Sequence, residues 1–336
     1  MKTDILEVYK EYPNEAVALF GEHPFELKNI LNWWVRGNWS KEQREVLKLI
    51  YGRTDLHVIP TDTVYMTIDK EAVKKSGMLI QGDSIPDHMV ISLKGKGALY
   101  KGDLMMLEMI ANANWERPIY VATTVGQENY MNLGDNFVQE GLANRITPFT
   151  TNVNGKPVAG MKQFDTQKTY DKVMNHFKFG GLSKPGLYLD ETVMRMCYTH
   201  RRLLSLLATR LAQEKDITKA AQILELAEKE IPDYNVPHDF QGGSLDLVRT
   251  YLAIGDKAHA KKIIEQLWTK SSQYMKFFTS LPQKKFNASS RDCMLHLYLL
   301  ETLHDFAMEC DQNLAMRYAE EYEKLVQAYQ MHGGSI

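Results

Sequence analysis

The sequence predicts an α+β half, a small mixed sheet covered by helices, followed by an all-α array of helical hairpins. Three observations carry that reading. Residues 104–125 change period partway, from helical spacing to a short β-branched and aromatic run. After Asp190 the chain is helical to its end, and the pattern Asp-x-x-x-Ala recurs in it. Between the halves stands the breaker cluster Ser183-Lys184-Pro185-Gly186. The expected domains are therefore residues 1–183 and 187–332.

In chain order, residues 1–37 read as helical and aromatic (Val8, Tyr9, Leu19, Phe20, Phe25, Leu31, Trp33, Trp34), broken at Pro13 and Pro24. Ser40 with Gln43 forms a capping box for a helix that stops near Gly52. Residues 58–68 read as one or two strands interrupted at Pro60. Asp69 caps a short helix closed by Gly77, and residues 89–93 read as a strand before the loop Lys94-Gly95-Lys96-Gly97.

Leu104, Leu107, Ile110 and Ala111 then mark a helix with Asp103 as its expected N-cap. Pro118 lacks an N–H and holds Arg117 extended, so residues 119–125 read as a buried strand. Another strand is expected at 143–148 and a loop or hairpin at 150–163. A helix at 166–178 is closed by Gly180-Gly181.

In the second half, Asp216 to Ala220, Asp256 to Ala260 and Asp311 to Ala315 repeat one motif, each after an apolar helix (203–212, 245–254, 295–308). The spacing is 40 residues from Asp216 to Asp256 and 55 from Asp256 to Asp311. Small residues are needed where helix axes approach to ~8–10 Å. The pattern resembles tetratricopeptide repeats, whose period is ~34 residues, and implies about three hairpins with a concave binding surface.

Several strings carry a second resemblance: residues 114–122 (Asn-Trp-Glu-Arg-Pro-Ile-Tyr-Val-Ala), Asn129-Tyr130, residues 139–143, residues 59–65, residues 69–73 and residues 188–197. Over roughly residues 55–260 the chain resembles the soluble C-terminal region of a family of large multi-pass membrane proteins from Bacteroidetes. The N-terminal membrane part of that family is similar to protein O-mannosyltransferases. The resemblance implies an extracytoplasmic, periplasmic-side domain, with the membrane helices and any sugar-transfer loops upstream. Without it, the lack of an apolar leader at Met-Lys-Thr-Asp-Ile-Leu-Glu places the chain in the cytoplasm.

Composition excludes several classes. The 336 residues are 44% hydrophobic and 24% charged, as in an ordinary folded protein. A net charge of −2 gives no field to attract nucleic acid. No stretch approaches the ~18 apolar residues that span a bilayer. Cys197, Cys293 and Cys310 show neither C-x-x-C nor zinc spacing and read as buried or half-buried free thiols.

Two groups of residues are candidate binding positions. Arg117, Tyr120, Asn129, Tyr130, Glu140 and Arg145 fall at the ends of the expected strands, where α/β sites gather. Arg117 and Glu140 read equally as an interior ion pair. Arg195, His200, Arg201 and, further along, Arg249 make a basic face on the array, against the alternative of a solvated face with local ion pairs.

Weaker patterns read as structural. Lys94 to Gly97 lacks phosphate-loop spacing, and Glu301-x-x-His304 with His296 reads as a packed helix with hydrogen-bonded histidines rather than a metal site. Asp62-Thr63-Val64 and Asp83-Ser84-Ile85 resemble short O-glycosylation acceptor patterns and read equally as turns. No nucleophile–base motif is present, and no catalytic residue, cofactor or metal ligand is assigned.

The expectation is a non-catalytic domain that binds or presents a polypeptide acceptor or protein partner, associated with a membrane only through an upstream segment. The alternatives are a free-standing enzyme with its site near Arg117 and Glu140, and an oligomerisation module that dimerises through residues 290–330.

Overall fold

The computed structural model describes residues 2–5, 14, 17, 25–54, 57–79, 85–153, 156, 157 and 162–335. Val8, Tyr9, Leu19, Phe20 and the pair Asp83-Ser84 lie outside the described residues. The chain divides into two compact units, Met1–Lys168 and Thr169–Ile336. Ser183-Lys184-Pro185-Gly186 lies within the second unit. There Asn235 Nδ2 donates to the carbonyls of Leu182 (2.7 Å) and Lys184 (2.6 Å).

The first unit is α+β. Its start is not helical: β1 (Lys2–Asp4) pairs antiparallel with β5 (Ala98–Tyr100). A mixed sheet orders β2 (Phe25–Glu26), β3 (Thr63–Thr67) and β4 (His88–Ser92), with β2–β3 parallel and β3–β4 antiparallel. After β2 come α1 (Leu27–Asn29) and a π-helical stretch Ile30–Val35, which put Leu27, Ile30, Leu31 and Trp34 inside. Trp34 is fully buried and meets Trp39 edge-on at 4.7 Å, a geometry that favours aromatic pairs.

Helix α2 (Lys41–Tyr51) has the expected capping box: Gln43 N donates to Ser40 Oγ, and Ser40 N to Gln43 Oε1. Gly52 ends it at φ 67°. Helix α3 (Lys70–Lys75) is capped by Asp69, which accepts from the amides of Glu71 and Ala72. Lys94-Gly95-Lys96-Gly97 is a turn between β4 and β5.

Helix α4 spans Lys101–Ala113 and buries Leu104, Leu107, Ile110 and Ala111. Asp103 is not its N-cap. It sits in the first turn and accepts from the Tyr100 amide at 2.9 Å, because the helix begins three residues earlier than the apolar pattern suggests. The helix also ends before Pro118 can act: Asn114 and Trp115 adopt φ 47° and 63° and turn the chain.

The strand that follows, β6 (Tyr120–Ala122), is short and not buried, since it is the edge of the antiparallel sheet β6–β8–β7. Its partners are β7 (Phe137–Glu140) and β8 (Ala143–Ile146). The hairpin β9 (Asn152–Val153)–β10 (Lys156–Pro157) and the start of α5 (Thr166–His176) complete the unit.

The second unit is a helical array. Three hairpins follow in order: α6 (Glu191–Gln213) with α7 (Ile217–Glu230), α8 (Ser244–Ala253) with α9 (Lys257–Thr279), and, after α10 (Gln283–Ala288), α11 (Ser290–Cys310) with α12 (Gln312–Met331). Each second helix opens on the repeated Asp. Asp216 accepts from the Lys219 amide, Asp256 from His259, and Asp311 from Asn313 and Leu314.

Four residues on, Ala220, Ala260 and Ala315 are all completely buried, as a close helix crossing requires. Gly243, at φ 76°, lets the chain before α8 approach α6, since a Cβ there would lie 3.0 Å from Arg202 Cα. Trp268 of α9 stacks on Tyr318 of α12 at 3.7 Å and donates to Glu321.

Two substitutions test this account by urea unfolding of the full chain. Ala260→Leu should cost ~1–3 kcal/mol by overpacking the crossing. Asp256→Ala should cost about 1 kcal/mol through loss of the cap.

Candidate functional site

The strand-end residues divide into those the fold brings together and those it does not. Across the β6–β8–β7 sheet, Tyr120, Glu140 and Arg145 converge, because Tyr120 and Arg145 are register partners and Glu140 ends the neighbouring strand. Arg145 lies 3.1 Å from Glu140 Oε1 and donates to the Tyr120 hydroxyl at 2.9 Å. The Tyr120 hydroxyl donates to Glu140 Oε2 at 2.9 Å. Lys168 Nζ, from α5, reaches Glu140 Oε1 at 3.4 Å.

The Glu140 side chain is 1% exposed and that of Arg145 8%. The ionic partner of Glu140 is thus Arg145, not Arg117. Arg117 is exposed at the end of the turn that Asn114 and Trp115 make. Asn129 is exposed and donates to Glu128, while Tyr130 packs edge-on against Phe137 at 4.9 Å.

Of the residues expected to make a basic face on α6, Arg201 is interior. Arg201 is 1% exposed and donates to the carbonyls of Ile231 (2.9 Å), Pro237 (3.0 Å) and Val236, clasping the segment after α7 to α6. Burial pulls its guanidinium down to about 10. Arg195 pairs with Glu191 in solvent. His200 bonds the Met196 carbonyl and lies against Phe177 and Phe179. Arg249 pairs with Asp246 and sits 5.5 Å over the Phe306 ring.

The helical unit instead holds a cavity of about 320 Å³ between α9 and α11, closed on one side by the start of α8 and the 3₁₀ turn Phe240–Gly242. Leu267, Lys270, Ser271, Tyr274 and Phe278 are one face of α9; Asp292, Leu295, His296, Leu299 and Leu303 are one face of α11. Leucines therefore form most of the apolar wall, and Phe240, Tyr274 and Phe278 supply rings. Asp239 Oδ2 takes a hydrogen bond from Lys270 Nζ, while its Oδ1 accepts from Gln241 N. Burial alone would lower Lys270, but the bond and charge of Asp239 outweigh it and hold the ammonium above its usual value.

His296 is 7% exposed and stacks on Tyr274 at 4.6 Å. Its Nδ1 is buried without a hydrogen-bond partner among the described residues, so the expectation of a hydrogen-bonded histidine fails at that atom. Burial lowers its affinity for a proton and keeps the ring neutral at pH 7. His304 lies near Asp305 instead, at 3.7 Å. Among the described residues no three His, Cys, Asp or Glu side chains are grouped to hold a metal ion.

In the first unit an open depression of about 360 Å³ is lined by Asp69, Glu71, Lys75, Ser76 and Glu116. Two of its acids serve the helix they belong to: Asp69 caps it and Glu71 pairs with Lys74. The three cysteines are free, with Cys197 and Cys293 buried and Cys310 half-buried. Burial raises all three thiols, which makes them poor nucleophiles.

Of the cavity residues, only His296 stands out in the sequence as a candidate polar group. Asp239, Lys270, Tyr274 and Asp292 carry no local signal, and neither does Lys168 of the Glu140 cluster. The i, i+4 faces of α9 and α11 were readable, but nothing local says that these two faces oppose each other.

The architecture defines a class: an α+β domain with a closed ionic cluster, followed by a helical-hairpin array with a ligand-sized cavity. Residues 2–168 match the family model of TMEM260-associated domain 2, which supports a TMEM260-like family member. That match ends at the last residue of the first unit, so the string at residues 188–197 lies beyond it. No curated protein and no solved structure matches the chain significantly.

Two outcomes follow for stability. Glu140→Gln leaves two cations without their carboxylate and should cost ~3–5 kcal/mol in thermal or chemical unfolding. His238 is buried, its Nδ1 3.0 Å from Ser244 Oγ, and burial with the nearby Arg201 charge pushes it down to about 3. The unfolded histidine takes a proton near pH 6.5 and the folded one does not. Stability is thus lost as pH falls from 6.5 toward 3, by about 2 kcal/mol at pH 5. Comparing unfolding at pH 7 and 5, this loss should shrink in His238→Gln.

Proposed function

We propose that this chain is a non-catalytic, extracytoplasmic part of a membrane glycosyltransferase-like protein, and that its helical-hairpin unit binds a polypeptide, either the acceptor or a partner. The family match of the first unit and the resemblance to multi-pass proteins with a mannosyltransferase-like membrane part support the context. No helix among the described residues is long and apolar enough to cross a membrane.

The observation that carries the binding role is the cavity between α9 and α11. Its volume is at the small end of ligand sites, which run ~300–1,000 Å³, and suits a single large side chain rather than an extended small molecule. Its mouth is exposed and apolar: Tyr274 is 42% and Leu295 36% exposed, and Phe277, on the next turn of α9, is 57% exposed. A pocket with an aromatic rim is the usual form of an anchor site for a protein partner.

The ionic cluster of the first unit supports the non-catalytic half of the reading. Glu140 spends both oxygens on Arg145, Tyr120 and Lys168, so this carboxylate is not free to act as a base.

The test is a peptide array probed with the full chain. A subset of peptides bearing large apolar residues should bind, and Leu295→Trp, which fills the partly exposed mouth, should weaken that subset by more than ~10-fold. Absence of binding, or binding indifferent to Leu295→Trp and to Tyr274→Ala alike, rejects the reading.

A further inference from the structure

The charge around the cavity specifies its occupant more narrowly. We infer that the α9–α11 cavity recognises a polypeptide segment in which a large apolar side chain is followed by a basic residue, arginine above all; this rests on the proposal that the helical unit binds polypeptide. Three charged side chains line the cavity: Asp239, Lys270 and Asp292. Asp239 and Lys270 neutralise each other in a direct bond. Asp292 is left. It is exposed in the first turn of α11, and no cation pairs with it among the described residues.

The site therefore carries one unpaired carboxylate at its mouth, in the same lining as the half-exposed ring of Tyr274. Inside, Leu267, Leu299 and Leu303 are 5%, 4% and 1% exposed and form an apolar wall. The two chemistries are separated in space: apolar surface at depth, carboxylate and aromatic ring at the rim. An apolar anchor satisfies the first, and a neighbouring guanidinium satisfies the second, because arginine both pairs with carboxylates and stacks on aromatic faces. An acidic neighbour would meet Asp292 as a like charge. A lone cation at the leucine-walled depth would lose its hydration there, since Asp239 is already occupied by Lys270 and Asp292 lies at the rim.

The experiment is fluorescence anisotropy with the full chain and three labelled peptides on one Gly/Ser scaffold, carrying Phe-Arg, Phe-Glu or Ser-Arg at the centre. Phe-Arg should bind tightest, with Phe-Glu weaker by roughly five-fold and Ser-Arg by more than ~10-fold. The Phe-Arg to Phe-Glu ratio should fall toward one in Asp292→Asn, invert in Asp292→Lys, and shrink at about 0.5 M salt. Both substitutions are at an exposed position and leave the core untouched.

Equal binding of Phe-Arg and Phe-Glu, with both lost in Leu295→Trp, overturns this inference and leaves the polypeptide-binding role standing. A preference for Phe-Arg that survives Asp292→Asn unchanged also overturns it. No binding of any of the three at about 1 mM rejects the inference, and the peptide array then decides the wider reading independently.

Discussion

The close crossing within each hairpin is the constraint on which the helical unit rests. Ala220, Ala260 and Ala315 each sit four residues after the Asp that caps the second helix, and each is completely buried. Cap and crossing are coupled: the Asp fixes where the helix starts, and therefore which residue faces the partner helix. A one-residue shift of that start would swing each alanine by about 100° and drive a larger side chain into the contact. Arg201 extends the same logic to the first hairpin, holding the segment after α7 by three carbonyls that no helix satisfies.

Against that packed frame, the space between α9 and α11 stands out. Facing helix surfaces in a protein interior normally interdigitate to native density, yet here a volume of about 320 Å³ stays open, walled by leucines and rings. The buried His296 Nδ1 beside it lacks a partner among the described residues, a state that costs free energy in an isolated fold. In the first unit Tyr120, Glu140, Arg145 and Lys168 bond one another across a small sheet, a network that fixes the strands relative to one another. One unit spends its ionisable groups on structure, and the other keeps an apolar site open to solvent. The correspondence between the family match and the first unit, both ending at Lys168, marks the same division from another direction.

Much of the fold was legible in the sequence. The capping box at Ser40 and Gln43, the Asp69 cap, the glycine stops at Gly52 and Gly77 and the three repeated Asp caps all stand where the residue types indicate. The errors were also local. Asp103 was one turn position inside its helix, the first residues formed a strand instead of a helix, and residues 120–122 lay at a sheet edge rather than inside. A short β-branched run looks the same in an edge strand as in a central one, because the difference lies in the neighbour and not in the run.

The candidate site was far less legible. Glu140 and Arg145 are readable as strand-end residues, but the ion pair that the sequence offers as one reading of Glu140 is with Arg117, which is exposed beyond the turn at Asn114 and Trp115. Arg201 read as part of a basic surface and proved to be interior. By itself the sequence determined fold class, caps, breakers and the hairpin repeat, because these follow from interactions within about four residues. Only the tertiary structure decided which carboxylate meets which cation, which arginine is buried, and that the faces of α9 and α11 oppose one another around a cavity. Those outcomes depend on partners tens of residues away, and no local pattern encodes the angle at which two hairpins pack.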